Sequence, residues 1–332
     1  CRALFDATAA APMSSTDPKA LLPDSLAARV STLTIKEGRA IAIVDAAGLG
    51  QQERDDIERA ITDILGQREE VSETRVVMTA ERTQRRIIAV GSGKGGVGKS
   101  TLTANLAIAL ARRGRKVGLV DADIYGPSQP VILGNQGSKP VARDKKLEPV
   151  DSPVGIPVLS MGHLVEPGRA LAWRGPMAGN ALAQLIDAHW GDVDTLLVDL
   201  PPGTGDVQLT MLQRYKPMGA VLVSTPQDLA LIDAARAGQL FDQAGVPVIG
   251  LVENMAGYAC PHCGEVSDPF GRGGVETAAG RLDLPFLGRI PLDLAIREGS
   301  DRGQPPACGE DALAAPFHDI AAKVDAWIRA QG

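Results

Sequence analysis

Aromatic residues are scarce: Phe, Trp and Tyr make up 3% of the 332 residues. A core of any size must therefore be packed from aliphatic side chains. No apolar stretch approaches the ~20 residues that a membrane-spanning helix needs. Positive charge never gathers into a long run, and Arg85-Arg86, Arg112-Arg113 and Lys145-Lys146 read as isolated pairs on a solvated surface. With a formal net charge of −6 and a pI of about 5.4, neither a nucleic-acid backbone nor a membrane is an expected partner. Four cysteines are too few to staple a chain of this length, so a reducing, cytoplasmic compartment is expected. The opening Cys1-Arg2-Ala3-Leu4-Phe5 has neither an initiator Met nor a signal-peptide pattern. Met13 reads as a plausible start, and residues 1–16 are expected to be disordered or non-native.

What is present is an ordinary globular composition, 44% hydrophobic and 22% charged, long enough for roughly two domains. Residues 17–80 read as a small α/β module. It has a short helix or turn over Asp24–Val30, a strand over Ile41–Val44, a helix over Gln52–Leu65 and a second strand over Thr74–Met78. The helix is read from the stripe Ile57, Ala60, Ile61, Ile64 and Leu65. A polar linker, 81–86, leads into a larger unit, 87–332. There, short Val/Ile/Leu-rich runs alternate with helical segments: Ile87–Val90, Val117–Val120, Leu196–Val198, Ala220–Val223, Val248–Val252 and Phe286–Ile290, with helices over Leu102–Arg112, Ala178–His189, Val207–Gln213 and Leu229–Gln243. Runs apolar on both faces point to a mostly parallel sheet covered by helices. Ligands of such sheets sit beyond the carboxyl ends of the strands.

The first of those strands runs into Gly91-Ser92-Gly93-Lys94-Gly95-Gly96-Val97-Gly98-Lys99-Ser100-Thr101 and then into a helix. This is the strand–loop–helix setting of a phosphate-binding loop. Gly93, Gly95, Gly96 and Gly98 let backbone N–H groups turn inward. The helix start adds partial positive charge. Lys99 is expected to reach the β- and γ-phosphates, and the Ser100 hydroxyl to ligate Mg²⁺. ATP and Mg²⁺ are the implied ligands. A ligand-free Gly-rich turn does not explain why glycines, Lys-Ser and context coincide.

Lys94, directly after the first glycine, makes the loop resemble the deviant Walker A ATPases, the group of MinD, ParA and the nitrogenase iron protein. The resemblance implies a nucleotide-sandwich homodimer, with Lys94 reaching the partner's nucleotide. It also implies that Asp123, in Asp121-Ala122-Asp123-Ile124-Tyr125-Gly126-Pro127-Ser128, orients the attacking water in a switch I segment, with Asp121 supporting the Mg²⁺ shell. Asp199, opening Asp199-Leu200-Pro201-Pro202-Gly203-Thr204-Gly205-Asp206, looks like the Walker B carboxylate that holds Mg²⁺ directly or through water; the run after it reads as switch II. By the same resemblance Asn254, Pro291 and Asp293 line the base and ribose, although an Asn at a strand end is on general grounds a turn residue.

After Asn254 comes Cys260-Pro261-His262-Cys263. This spacing points two sulfurs at one metal and leaves zinc half-site, redox pair and half of an iron–sulfur site open. The chain has no second such pair, Cys308 is isolated, and His262 is expected to face solvent. Four thiolates are the usual cluster requirement, which a symmetric dimer supplies with two from each subunit. Together these motifs resemble the Mrp/ApbC iron–sulfur cluster carrier ATPases over about Arg85 to Gly303, and the first module more weakly resembles a MIP18-like domain. That resemblance implies a [4Fe–4S] cluster on Cys260 and Cys263 of both chains, passed to apoproteins with ATP hydrolysis. Two other readings compete with it: a MinD/ParA-like positioning ATPase and a zinc-stapled ATPase dimer. A MinD-type protein needs a basic amphipathic C-terminal helix. Residues Asp319–Arg329 are instead roughly neutral, and Ile320, Val324, Trp327 and Ile328 read as a core stripe. An iron-protein-like reductase places its cluster cysteines singly, unlike the pair here. Arg174 is an unranked candidate for an arginine finger.

Overall fold

The computed structural model describes residues 18–46, 49, 51–79, 85–124, 126–164 and 175–332. The expectations for residues 1–16, most of the linker, Tyr125 and Arg174 lie outside these. The chain divides into two compact units, Cys1–Thr83 and Gln84–Gly332.

The first unit has a three-stranded sheet, with Arg39–Asp45 between Val30–Lys36 and Glu73–Thr79, and a helix, Gln51–Gly66. The strand Val30–Lys36 was not expected from the sequence. A register shift between Val30 and Thr32 breaks the inward–outward alternation by which strands are read. The missed signal is the turn: Glu37 and Gly38 both have positive φ, 49° and 78°, as a tight two-residue hairpin requires.

The second unit is built on seven strands in the order Phe286–Ile290, Val248–Asn254, Gly219–Ser224, Arg86–Ser92, Thr195–Asp199, Val117–Asp121, Val158–Ser160. All neighbours run parallel. Six of these strands coincide with the apolar runs of the sequence, with ends moved by a residue or two. Val158–Ser160, at the sheet edge, is too short to show a pattern. Successive residues face opposite sides. Ile88, Val90, Leu119, Val221 and Val223 join one buried cluster with the helices Lys99–Arg112 and Ala315–Ala330. Ala89, Val120, Ala220 and Leu222 join another with Leu182, Leu185 and Phe241. Each fully buried Leu or Ile contributes roughly 1.5–3 kcal/mol relative to exposure.

The C-terminal stripe behaves as its pattern requires: Ile320, Val324 and Ile328 are buried and Trp327 packs on the same cluster. The helix expected over Val207–Gln213 is split into Asp206–Thr210 and a wider turn over Met211–Tyr215. Ser92, Asp121, Asp199, Ser224, Asn254 and Ile290 all end strands at the same edge of the sheet. Parallel pairing alone therefore gathers the sequence motifs in one place. Among the described residues no helix is long and apolar enough to cross a membrane.

Candidate nucleotide site and cysteine hairpin

The loop after strand Arg86–Ser92 is shaped by glycines in conformations that other residues resist. Gly96 and Gly98 have φ of 77° and 83°. At Gly98 a Cβ would stand 2.0 Å from Asn254 Nδ2, so a larger residue would have to push the Asn254 side chain aside and hold a left-handed backbone as well. Gly98 begins the helix Lys99–Arg112, whose buried face anchors the loop.

Lys99 and Asp199 form the electrostatic centre. Lys99 Nζ donates to Asp199 Oδ1 at 2.5 Å, and the two side chains are 6% and 0% exposed. Asp199 Oδ1 also accepts from Thr103 Oγ1 at 3.3 Å, and its Oδ2 accepts from Gln129 Nε2 at 2.8 Å. Asp121 lies beside Asp199 on the neighbouring strand, with the two paired in register. Its oxygens accept from the N–H of Asp123 and of Gln129 and from Ser160 Oγ, at 3.1, 3.1 and 2.9 Å. Burial, and then the charge of Asp199, push Asp121 up to about 7 against these hydrogen bonds. Asp121 thus shapes the loop that carries Asp123, and Asp123 Oδ1 accepts from Gly126 N–H at 3.2 Å.

Lys94 is half-buried and donates to Gln227 Oε1 of its own chain at 3.3 Å. Ser100 and Thr101 are partly exposed at the helix start, and Val97 is buried. Asn254 donates to the Val97 carbonyl at 2.8 Å, so this candidate base contact is a clasp on the phosphate loop. Asp293 caps the helix Leu294–Asp301, accepting from Ala295 N–H at 2.7 Å. The loop carrying Pro291 is tied to the segment after Asn254 by Ala256 N–H to Ile290 O and Leu292 N–H to Gly257 O.

Past Asn254 the chain turns through Met255 and Gly257, with φ of 60° and 80°, into a two-stranded hairpin that pairs Tyr258–Ala259 with Val266–Ser267. The cysteine pair is at its tip. Cys260 is half-buried and Cys263 exposed, and His262 is exposed, as expected. N–H groups of Cys263 and His262, with the Cys263 thiol, hold the Cys260 thiol below its ordinary range. Such a thiol is prepared for metal ligation. Among the described residues no group of three or more His, Cys, Asp or Glu side chains is placed to hold a metal ion, so the hairpin by itself offers a two-sulfur site.

Sequence reasoning missed Gln129, in the short helix Gln129–Ile132, and Glu253. The buried Glu253 carboxylate accepts from Gly273 N–H, Val275 N–H and Arg289 Nε. A lone Gln or Glu carries no motif signal. Only Glu253's place directly after the apolar run Val248–Val252 marks it as unusual.

A parallel sheet with a glycine-rich loop at its carboxyl edge, an acidic strand end beside it and a second lysine in the loop defines a P-loop NTPase of the ParA class. The family model described as ParA, NUBPL iron-transfer P-loop NTPase, matches residues 83–325. The chain belongs to this family. It is 52% identical over 221 residues to a protein of Arabidopsis thaliana named iron-sulfur protein required for NADH dehydrogenase, mitochondrial, covering 66% of this chain and 70% of the relative. It is 46% identical over 252 residues to the iron-sulfur cluster carrier protein of Escherichia coli K12, covering 75% and 68%. Among solved structures it resembles a nucleotide-binding protein of Archaeoglobus fulgidus in complex with ADP, at 42% identity and a TM-score of 0.58, covering 66% of this chain and 86% of the other.

Proposed function

We propose that the protein is an ATP-dependent iron–sulfur cluster carrier. Two copies hold one [4Fe–4S] cluster between them on Cys260 and Cys263 of each chain and pass it to apoproteins. The observation that carries this reading is the shared root of the two sites. Strand Val248–Asn254 ends in the residue clasping the phosphate loop and leads within a few residues to the cysteine hairpin. Transfer needs no change of oxidation state: acceptor thiolates replace the cysteine thiolates at iron, and the released thiolates take up protons or the next cluster. The thiol ligands call for a reducing compartment.

On the nucleotide side, the loop N–H groups and Lys99 bind the phosphates, and Lys94 serves the partner's nucleotide. The hard oxygen donors of Ser100 and Asp199, with Asp121 behind them, suit Mg²⁺. A buried acceptor without a partner, Gln129 Oε1, also fits a hydrated cation. Mg²⁺ would neutralise phosphate charge there. Asp123 orients a water and accepts its proton as the oxygen attacks the γ-phosphorus and the bond to the ADP oxygen breaks. Asn254, Pro291 and Asp293 line the base and ribose. Placing nucleotide there displaces the Asn254 clasp, so occupancy of the loop is felt at the hairpin root.

Anaerobic reconstitution with iron and sulfide, followed by transfer to an apo-acceptor with and without ATP, tests this reading. Cluster absorption that is lost in Cys260→Ala and Cys263→Ala, and transfer that depends on ATP, are expected. A spectrum unchanged in both variants, or zinc retained under anaerobic purification with iron refused, overturns it.

A further inference from the structure

Gln129 stands where the phosphate loop meets the two acidic strand ends. It is fully buried. Its side-chain N–H groups donate to Asp199 Oδ2 at 2.8 Å and to the Ser100 carbonyl at 3.0 Å. Its backbone N–H donates to Asp121 Oδ2 at 3.1 Å. One residue therefore touches the loop that carries Lys99 and Ser100, the carboxylate paired with Lys99, and the carboxylate that shapes the Asp123 loop. Its donors are fully used, whereas its own Oε1 is buried without a hydrogen-bond partner. A buried acceptor left empty costs free energy, and that cost is recovered if the acceptor is filled in another state of the site.

We propose that Gln129 is a positioning residue for the metal side of the nucleotide site. It pins Asp199 through Oδ2. Asp199 Oδ1, held here by Lys99 and more distantly by Thr103 Oγ1, then loses the lysine and opens to the hydrated cation once phosphate draws Lys99 away. Gln129 Oε1 is the acceptor offered to a water of that cation, which keeps several waters when bound. The inference rests on the assignment of Ser100 and Asp199 to Mg²⁺ made above. A residue that merely tied the loop to the helix would affect nucleotide binding with and without metal alike. A residue that orients a metal-holding carboxylate acts only where metal is present.

The test is a titration of the full chain with a fluorescent ATP analogue, in excess EDTA and over a range of Mg²⁺. Removing an outer-shell partner costs about 10–100-fold in metal affinity. Gln129→Leu is therefore expected to raise the Mg²⁺ midpoint by about tenfold or more and to leave EDTA affinity near that of the parent. Gln129→Met, unbranched and closer in shape, supplies the same reading should the Leu variant fold poorly. An unchanged Mg²⁺ midpoint, or equal losses with and without Mg²⁺, overturns the role of Gln129. Parent protein that binds the analogue with no dependence on Mg²⁺ instead overturns the underlying metal assignment, and Gln129's role falls with it.

Discussion

Asp199→Asn isolates the electrostatic centre of the site. Lys99 is 6% exposed, and Asp199 is the partner that balances its charge. Removing one member of a buried pair leaves the other uncompensated, at about 3–5 kcal/mol. In a unit of this size each kcal/mol moves the melting temperature by about 2–4 °C, giving a fall of about 6–20 °C. Asp121 shifts the expectation toward the lower half of that range. Its carboxyl is raised partly by the charge of Asp199, so neutralising Asp199 relieves that repulsion. The assay is a thermal melt, followed calorimetrically, with and without ATP in excess EDTA. Metal-free ATP gives Lys99 a new set of anionic partners. In the parent it must first break the Lys99–Asp199 pair, and in the variant it need not. ATP is therefore expected to raise the melting temperature more in Asp199→Asn than in the parent. A variant melting within about a degree of the parent, or equal stabilisation of both by ATP, refutes the reasoning.

Gly98→Ala forces a Cβ onto Asn254 at a positive φ; loss of binding to an ATP analogue and a lower melting temperature are expected, and unchanged binding contradicts the loop geometry. Asp325, 1% exposed, pairs with Arg113, Arg115 and Arg329, so Asp325→Ala is expected to cost about 3 kcal/mol in a denaturant titration. Burial pushes Asp325 up, but the Arg115 hydrogen bond and the Arg115 and Arg329 charges outweigh it and hold the carboxyl below 3.8. Its contribution to stability is accordingly complete above 3.8 and fades as pH falls through the lower folded value, which an acid-unfolding curve of parent against variant reads directly. With Cys260 lowered by its neighbours' N–H groups and the thiol of Cys308, on an otherwise exposed residue, raised by partial desolvation, alkylation of the metal-free protein near neutral pH is expected to modify Cys260 before Cys308; peptide mass mapping that finds Cys308 first opposes this.

The large unit was legible because its strands are buried on both faces, and Val/Ile/Leu runs such as Val117–Val120 announce that environment directly. The phosphate loop was legible because its glycines and lysines work through backbone geometry that is local in sequence. Val30–Lys36 was not, since a bulge broke its period. Nor were Gly274–Arg281 and Leu294–Asp301, each only eight residues long, too short to establish a helical stripe. The sequence offers Asn254 as a base contact, and the structure adds that it clasps Val97, 157 positions away. Gln129 joins Ser100, Asp121 and Asp199 only because three separate strands end side by side. Contacts of that kind belong to the topology and leave no trace in the local pattern.

The proposed carrier stands on two chains enclosing one cluster, and native mass spectrometry of anaerobically reconstituted protein weighs that species directly. The expected result is a dimer heavier than two apo chains by one [4Fe–4S] unit, with Cys260→Ala and Cys263→Ala lacking the added mass. A cluster carried by single chains, or a dimer of apo mass after reconstitution, contradicts it.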